Sequence, residues 1–93
     1  MRIFIYNICE VITMSVKDAV AKRFAEICAQ RNIKFNELAG ISGVTPSSVY
    51  SMMDPRRREV SVTLVKKLCD GLEISLAEFF TSPVFDELTQ EIY

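Results

Sequence analysis

Three consecutive arginines, Arg56, Arg57 and Arg58, follow an Asp-Pro pair in this 93-residue chain. Guanidiniums are planar, permanently charged forks whose donors match phosphate oxygens, so such a cluster on a loop suits a polyanion. Just upstream, Ser47, Ser48, Tyr50 and Ser51 offer four hydroxyls, groups that donate or accept at base edges and phosphates alike. Other chemistry has little support. The chain has no histidine, which removes the commonest general base and every histidine-containing triad. Its three cysteines, at 9, 28 and 69, form no C-x-x-C pair, and there is no glycine-rich phosphate loop. We therefore expect no catalytic residue, no metal ligand and no cofactor. Cys28 and Cys69 fall on helix core faces and read as small buried hydrophobes in a reducing cytoplasm. Asp86 and Glu87 read as solvated surface.

The elements that must position the hydroxyls and arginines lie in F-N-E-L-A-G-I-S-G-V-T-P-S-S-V-Y-S-M-M-D, residues 35 to 54. Apolar residues at 35, 38, 39 and 41 mark the core face of a short helix. Gly43 supplies the φ > 0 position that ends it, because glycine adopts that conformation without steric cost. Thr45 can cap a second helix through its hydroxyl, and Pro46 at the first helical position gives up no hydrogen bond. Val49 and Met52 mark that helix's buried face. Small Ala39 lets the helices approach, Gly43 bends the chain and branched Val49 fills the angle. The pattern is a helix-turn-helix.

Around this motif the spacing predicts further helices. Ser15 and Asp18 have capping-box spacing ahead of a helix over 15–31, with Val16, Val20, Phe24, Ile27 and Cys28 inward and Lys17, Lys22, Arg23, Glu26 and Arg31 outward. Asn32 ends it and Ile33 turns into the core. Asp54-Pro55 makes a turn, leaving the arginines exposed. Ser61 caps a fourth helix that runs to about Gly71. Ser75 and Glu78 form a capping box for a fifth helix, and Ser82-Pro83 opens a last short one with Val84, Phe85 and Leu88 inward.

Residues 1–14 are unlike the rest. Met1 to Thr13 is β-branched and aromatic with no helical period, and reads as a strand. It is too short to span a bilayer and lacks a cleavage site, so neither anchor nor signal peptide is expected. Two readings are open: a loosely packed extension of a helical domain over 15–93, or a strand pairing with the same strand of a second copy.

The formal net charge of −1 conceals an asymmetry. Residues 15–67 carry ten basic and five acidic residues, a balance of +5, whereas residues 68–93 carry six acids and no base. That division implies a basic working surface and an acidic tail, which either packs on the domain or serves a protein partner.

The chain resembles the Cro/C1-type helix-turn-helix family, the phage-repressor-like or XRE-type bacterial regulators. The resemblance covers about Val20 to Phe80. It rests on R-F-A-E-I in the first helix, E-L-A-x-x-S-G-V-T-x-S-S-V at the motif and L-x-x-x-L-x-I-S-L-A-E-F-F at the end. It implies an all-α, compact five-helix, lambda-repressor-like domain that binds double-stranded operator DNA as a homodimer. The residue set expected at DNA is Lys34, Thr45, Pro46, Ser47, Ser48, Tyr50, Ser51, Arg56, Arg57, Arg58, Ser61 and Thr63. Where relatives often carry glutamines, at the starts of the second and third helices, this chain has Phe35 and Pro46. A contact at Pro46 would be apolar, as to a thymine methyl. The leading expectation is a cytoplasmic, non-enzymatic transcription regulator, most simply a repressor. The competing one is a protein-interaction module, such as an antitoxin-like partner-binding protein.

Overall fold

In a computed structural model, residues 14–92 are described. The strand expected over 1–13, and with it the pairing of two copies through that strand, lies outside them. The described residues form α1 (Val16–Arg31), α2 (Phe35–Ser42), α3 (Pro46–Met53), α4 (Val62–Leu72), α5 (Leu76–Phe80) and a 3-10 turn (Pro83–Glu87). No strand occurs among the described residues, so they are all-α as expected.

Local chemistry sets most boundaries. Ser15 and Asp18 make the expected capping box at the start of α1: the Asp18 N–H donates to Ser15 Oγ at 3.2 Å, and the Ser15 N–H donates back to Asp18 Oδ2 at 3.3 Å. Asn32 ends α1 in the left-handed region at φ 56°, and Gly43 ends α2 at φ 70°. Thr45 caps α3 with Pro46 in its first turn, Ser61 caps α4, and Ser75 with Glu78 boxes the start of α5. Ser82 caps the last turn, which winds as 3-10 rather than α.

Residues from α1 to α5 share one core. Phe24, Leu38, Val49, Leu68, Cys69 and Phe79 are wholly buried, and Ala39 and Met52 nearly so. Burying each large apolar side chain contributes roughly 1.5–3 kcal/mol. α2 packs most extensively on α4 and α3, and α1 closes over α3 and the 3-10 turn. The aromatic end is tight, with the Phe24 and Phe79 rings 4.3 Å apart between centroids.

Three expectations need correction. Val16 is 42% exposed, whereas Lys17, expected outside, is 1% exposed. The lysine turns inward because the Asp54 carbonyl offers its ammonium a partner at 2.6 Å. Ile41, assigned to the core face of α2, is 55% exposed at that helix's last turn. α4 runs to Leu72, within a residue of the expected end, and it is Glu73 that takes the left-handed cap position at φ 60°. Gly71 serves close approach instead: a Cβ there would lie 2.2 Å from Ser42 Oγ and 3.0 Å from Ser42 Cα.

The acidic tail packs on the domain. The Thr89 N–H and Oγ1 both donate to the Met14 carbonyl, at 3.0 and 3.1 Å. Glu91 Oε2 accepts from the Val16 N–H at 3.0 Å. A carboxylate at a helix N-terminus is favoured by the helix dipole.

Candidate nucleic-acid interface

α3 is held at both ends and along one side. Thr45 Oγ1 accepts from the Ser48 N–H, while Val49 and Met52 anchor the helix in the core. Gly43 and Val44 N–H groups return to the Gly40 and Ala39 carbonyls, which fixes the bend between α2 and α3. The helix therefore presents Pro46, Ser47, Tyr50 and Ser51 away from the core. Pro46, Ser47 and Tyr50 are exposed and Ser51 is half-buried. Ser48 is less available: it is half-buried, and its Oγ lies 3.0 Å from Thr45 Oγ1. The Ser47 hydroxyl also lies within 3.1 Å of Thr45, though on an exposed turn.

Two flanks border this face. On one, the Tyr50 ring meets Phe35 edge-on at 6.0 Å, beside Lys34 at the start of α2. The Lys34 N–H is capped by Glu37 at 2.8 Å, leaving its ammonium exposed. On the other flank, an open groove runs between α3 and the start of α4. Ser47, Ser48, Ser51, Arg57, Glu59 and Ser61 line it, over a floor that includes Met52 and Leu64. The groove thus gathers four of the expected hydroxyls and one of the expected arginines. It also contains a carboxylate, Glu59, which opposes an incoming phosphate. Ser61 Oγ accepts from the Leu64 N–H at 2.9 Å, and Thr63 is exposed one position into α4.

The three arginines are not equivalent. Arg56 is gripped by Asp54: its Nε and Nη2 donate to the two carboxylate oxygens, both at 3.0 Å, and its N–H donates at 2.9 Å. Those hydrogen bonds and the adjacent guanidinium hold the Asp54 carboxyl down at about 2. Arg58 donates to the Pro55 carbonyl and lies 3.9 Å from Asp18. The Arg57 guanidinium has no hydrogen-bond or ion-pair partner among the described residues. Sequence reasoning ranked the three together; the aspartate two residues before Arg56 is the signal that separates them.

Other cations of the basic half serve the fold. Lys17, Arg23 and Arg31 donate to carbonyls at the C-terminal ends of α3, α5 and α4, at 2.6, 2.9 and 2.7 Å. Cations at helix C-termini are favourable, and these long stems also cover apolar surface. Burial pushes the thiols of Cys28 and Cys69 up, the latter to about 11 with help from Asp70. Among the described residues no cluster of three or more Cys, Asp or Glu could hold a metal, and no helix is long and apolar enough to cross a membrane.

Comparison with known proteins assigns the chain to a family. Residues 23–83 match the family described as the Cro/C1-type HTH DNA-binding domain. The chain belongs to that family. A solved structure, the crystal structure of the prophage Lp1 protein 11, has the same fold, with a TM-score of 0.71 and 27% identity. That match covers 83% of this chain and 100% of the prophage chain. Curated proteins gave no match. As a Cro/C1-type domain the chain is a DNA-binding regulator, which agrees with the reading made from its helix-turn-helix residues. The all-helical fold and the motif's position are likewise those expected.

Proposed function

We propose that this Cro/C1-type domain is a sequence-specific transcriptional repressor that binds operator DNA as a homodimer, with α3 in the major groove. One observation carries the reading. The outward side of α3 is open and borders a groove in which the guanidinium of Arg57, without a partner among the described residues, stands among the hydroxyls of Ser47, Ser51 and Ser61. In this mechanism Arg57, Lys34 and the Ser61–Thr63 start of α4 grip phosphates and set the register of the protein on the duplex. Ser47, Tyr50 and Ser51 face base edges, and Pro46 offers an apolar contact suited to a thymine methyl. Ser48 and Thr45 act mainly by bracing the first turn of α3. Arg56 and Arg58 supply positive potential while engaged with Asp54 and Asp18.

Serine contacts discriminate less than a bidentate arginine–guanine pair, worth roughly 1–3 kcal/mol. Phosphate contacts therefore dominate the affinity. A dimer's two α3 helices reach successive major grooves about 34 Å apart, which selects a near-palindromic site. Selection of random duplexes should enrich an inverted repeat. On that site Arg57→Ala should lower the slope of log K against log salt by ~0.9 per protomer. Arg56→Ala should change it less. A pool that stays flat at low salt would refute the reading.

A further inference from the structure

The helix that faces the DNA ends without a glycine. Its cap residue Asp54 is extended, at φ −72° and ψ 116°, and the Asp54 N–H reaches only the Ser51 carbonyl, at 3.2 Å. The end of α3 is instead organised by a single atom, the Asp54 carbonyl oxygen. It accepts the Arg57 N–H at 3.0 Å, closing the turn that carries the arginines. It also accepts Lys17 Nζ at 2.6 Å. Lys17 comes from the first turn of α1, 37 residues earlier, and its side chain is 1% exposed.

We propose that Lys17 is the positioning residue for DNA recognition, its buried ammonium pinning the carbonyl that aims Arg57 into the groove beside α3. This rests on the proposed function and names a further residue for it. A buried lysine is an expensive way to fill space, because an isolated ammonium loses its hydration; an apolar side chain of that length packs at least as well. What the ammonium adds is a directed donor. It meets a carbonyl at the negative end of a helix dipole, where a cation is favoured. Among the described residues Arg57 has no side-chain partner to hold it, unlike Arg56 on Asp54. Its position therefore depends on its backbone, and its backbone depends on the oxygen that Lys17 holds. Lys17 is itself buried and acts through Arg57.

The test compares Lys17→Met, which keeps length and burial, with Lys17→Arg, which keeps a cationic donor. In the free protein, amide exchange at Arg57 in Lys17→Met should accelerate at least 10-fold, with the α4 core amides unchanged. On an operator obtained by selection, Lys17→Met should lower the salt slope as Arg57→Ala does. The double variant should lose little beyond either single one, and Lys17→Arg should restore most of the slope. Unchanged Arg57 exchange, or losses that simply add, would overturn the proposal. If Lys17→Met does not fold, a scalar coupling between the Lys17 ammonium and the Asp54 carbonyl in the wild-type protein supports it, and absence of that coupling overturns it. The exchange and coupling measurements need no DNA, so they test the tether from Lys17 to Arg57 separately from the proposed function, which a flat selection would refute.

Discussion

Replacing Gly71 with alanine tests how α2 is seated on α4, the contact that presents the helix-turn-helix. Helix propensity alone favours the change, since alanine in a helix interior is better than glycine by about 1 kcal/mol. Geometry opposes it. The new Cβ would stand 2.2 Å from Ser42 Oγ, 3.0 Å from Ser42 Cα and 3.1 Å from the Ile41 carbonyl carbon. A rotamer change can move Ser42 Oγ, but the other two atoms are backbone, and α2 itself must shift by a few tenths of an ångström to admit the Cβ. Overpacking of this kind costs roughly 1–3 kcal/mol or more, enough to outweigh the propensity gain. A net loss of 1 kcal/mol lowers Tm by about 4–8 °C in a domain of this size. Thermal unfolding of Gly71→Ala should therefore show a Tm clearly below wild type. Ser42→Ala removes a hydroxyl that is buried without a hydrogen-bond partner among the described residues, so alone it should be near neutral. Combined with Gly71→Ala, it should recover part of the loss and leave the backbone overlap. A Tm for Gly71→Ala at or above wild type would refute the close-approach argument.

Other predictions follow from the interface. Glu59→Gln removes the carboxylate from the groove beside Arg57 and should tighten duplex binding, most visibly at low salt in a fluorescence-anisotropy titration. Asp54 should titrate at about 2, followed through its carboxyl carbon by NMR. Because its folded pKa lies below the ordinary 3.8, the ion pair with Arg56 is complete above that value and is lost as pH falls towards 2. Cys69, held near 11, is thiolate in only about one molecule in 10⁴ at pH 7, so native protein should react slowly with a thiol reagent and unfolded protein quickly.

How much of this was readable beforehand depends on the range of the interactions. The capping serines, the Gly43 bend and the Thr45-Pro46 start of α3 obey rules acting over three or four residues, and all appear as expected. The exposed loop at 55–58 was legible for the same reason. Lys17 was not: a charged residue is assigned outward by any helical pattern, and only the fold brings Asp54 to it. The end of α4 near Gly71 was legible to within a residue, but the role of the glycine was not, since only the fold shows that it makes room for α2 while Glu73 takes the left-handed position. Ile41 looked like core by its spacing, but α2 ends there. The inequality among the arginines was half-legible, since Asp-Pro-Arg already encodes the carboxylate that claims Arg56.

The stitching of Thr89 and Glu91 to Met14 and Val16 gives the domain a mechanical character of its own. Tension applied at either margin of the described chain arrives at the same seam. The next tether inward, one residue along, is the lysine that steadies the end of α3. Loss of that seam would therefore bare the first turn of α1, which carries the lysine that meets the end of α3.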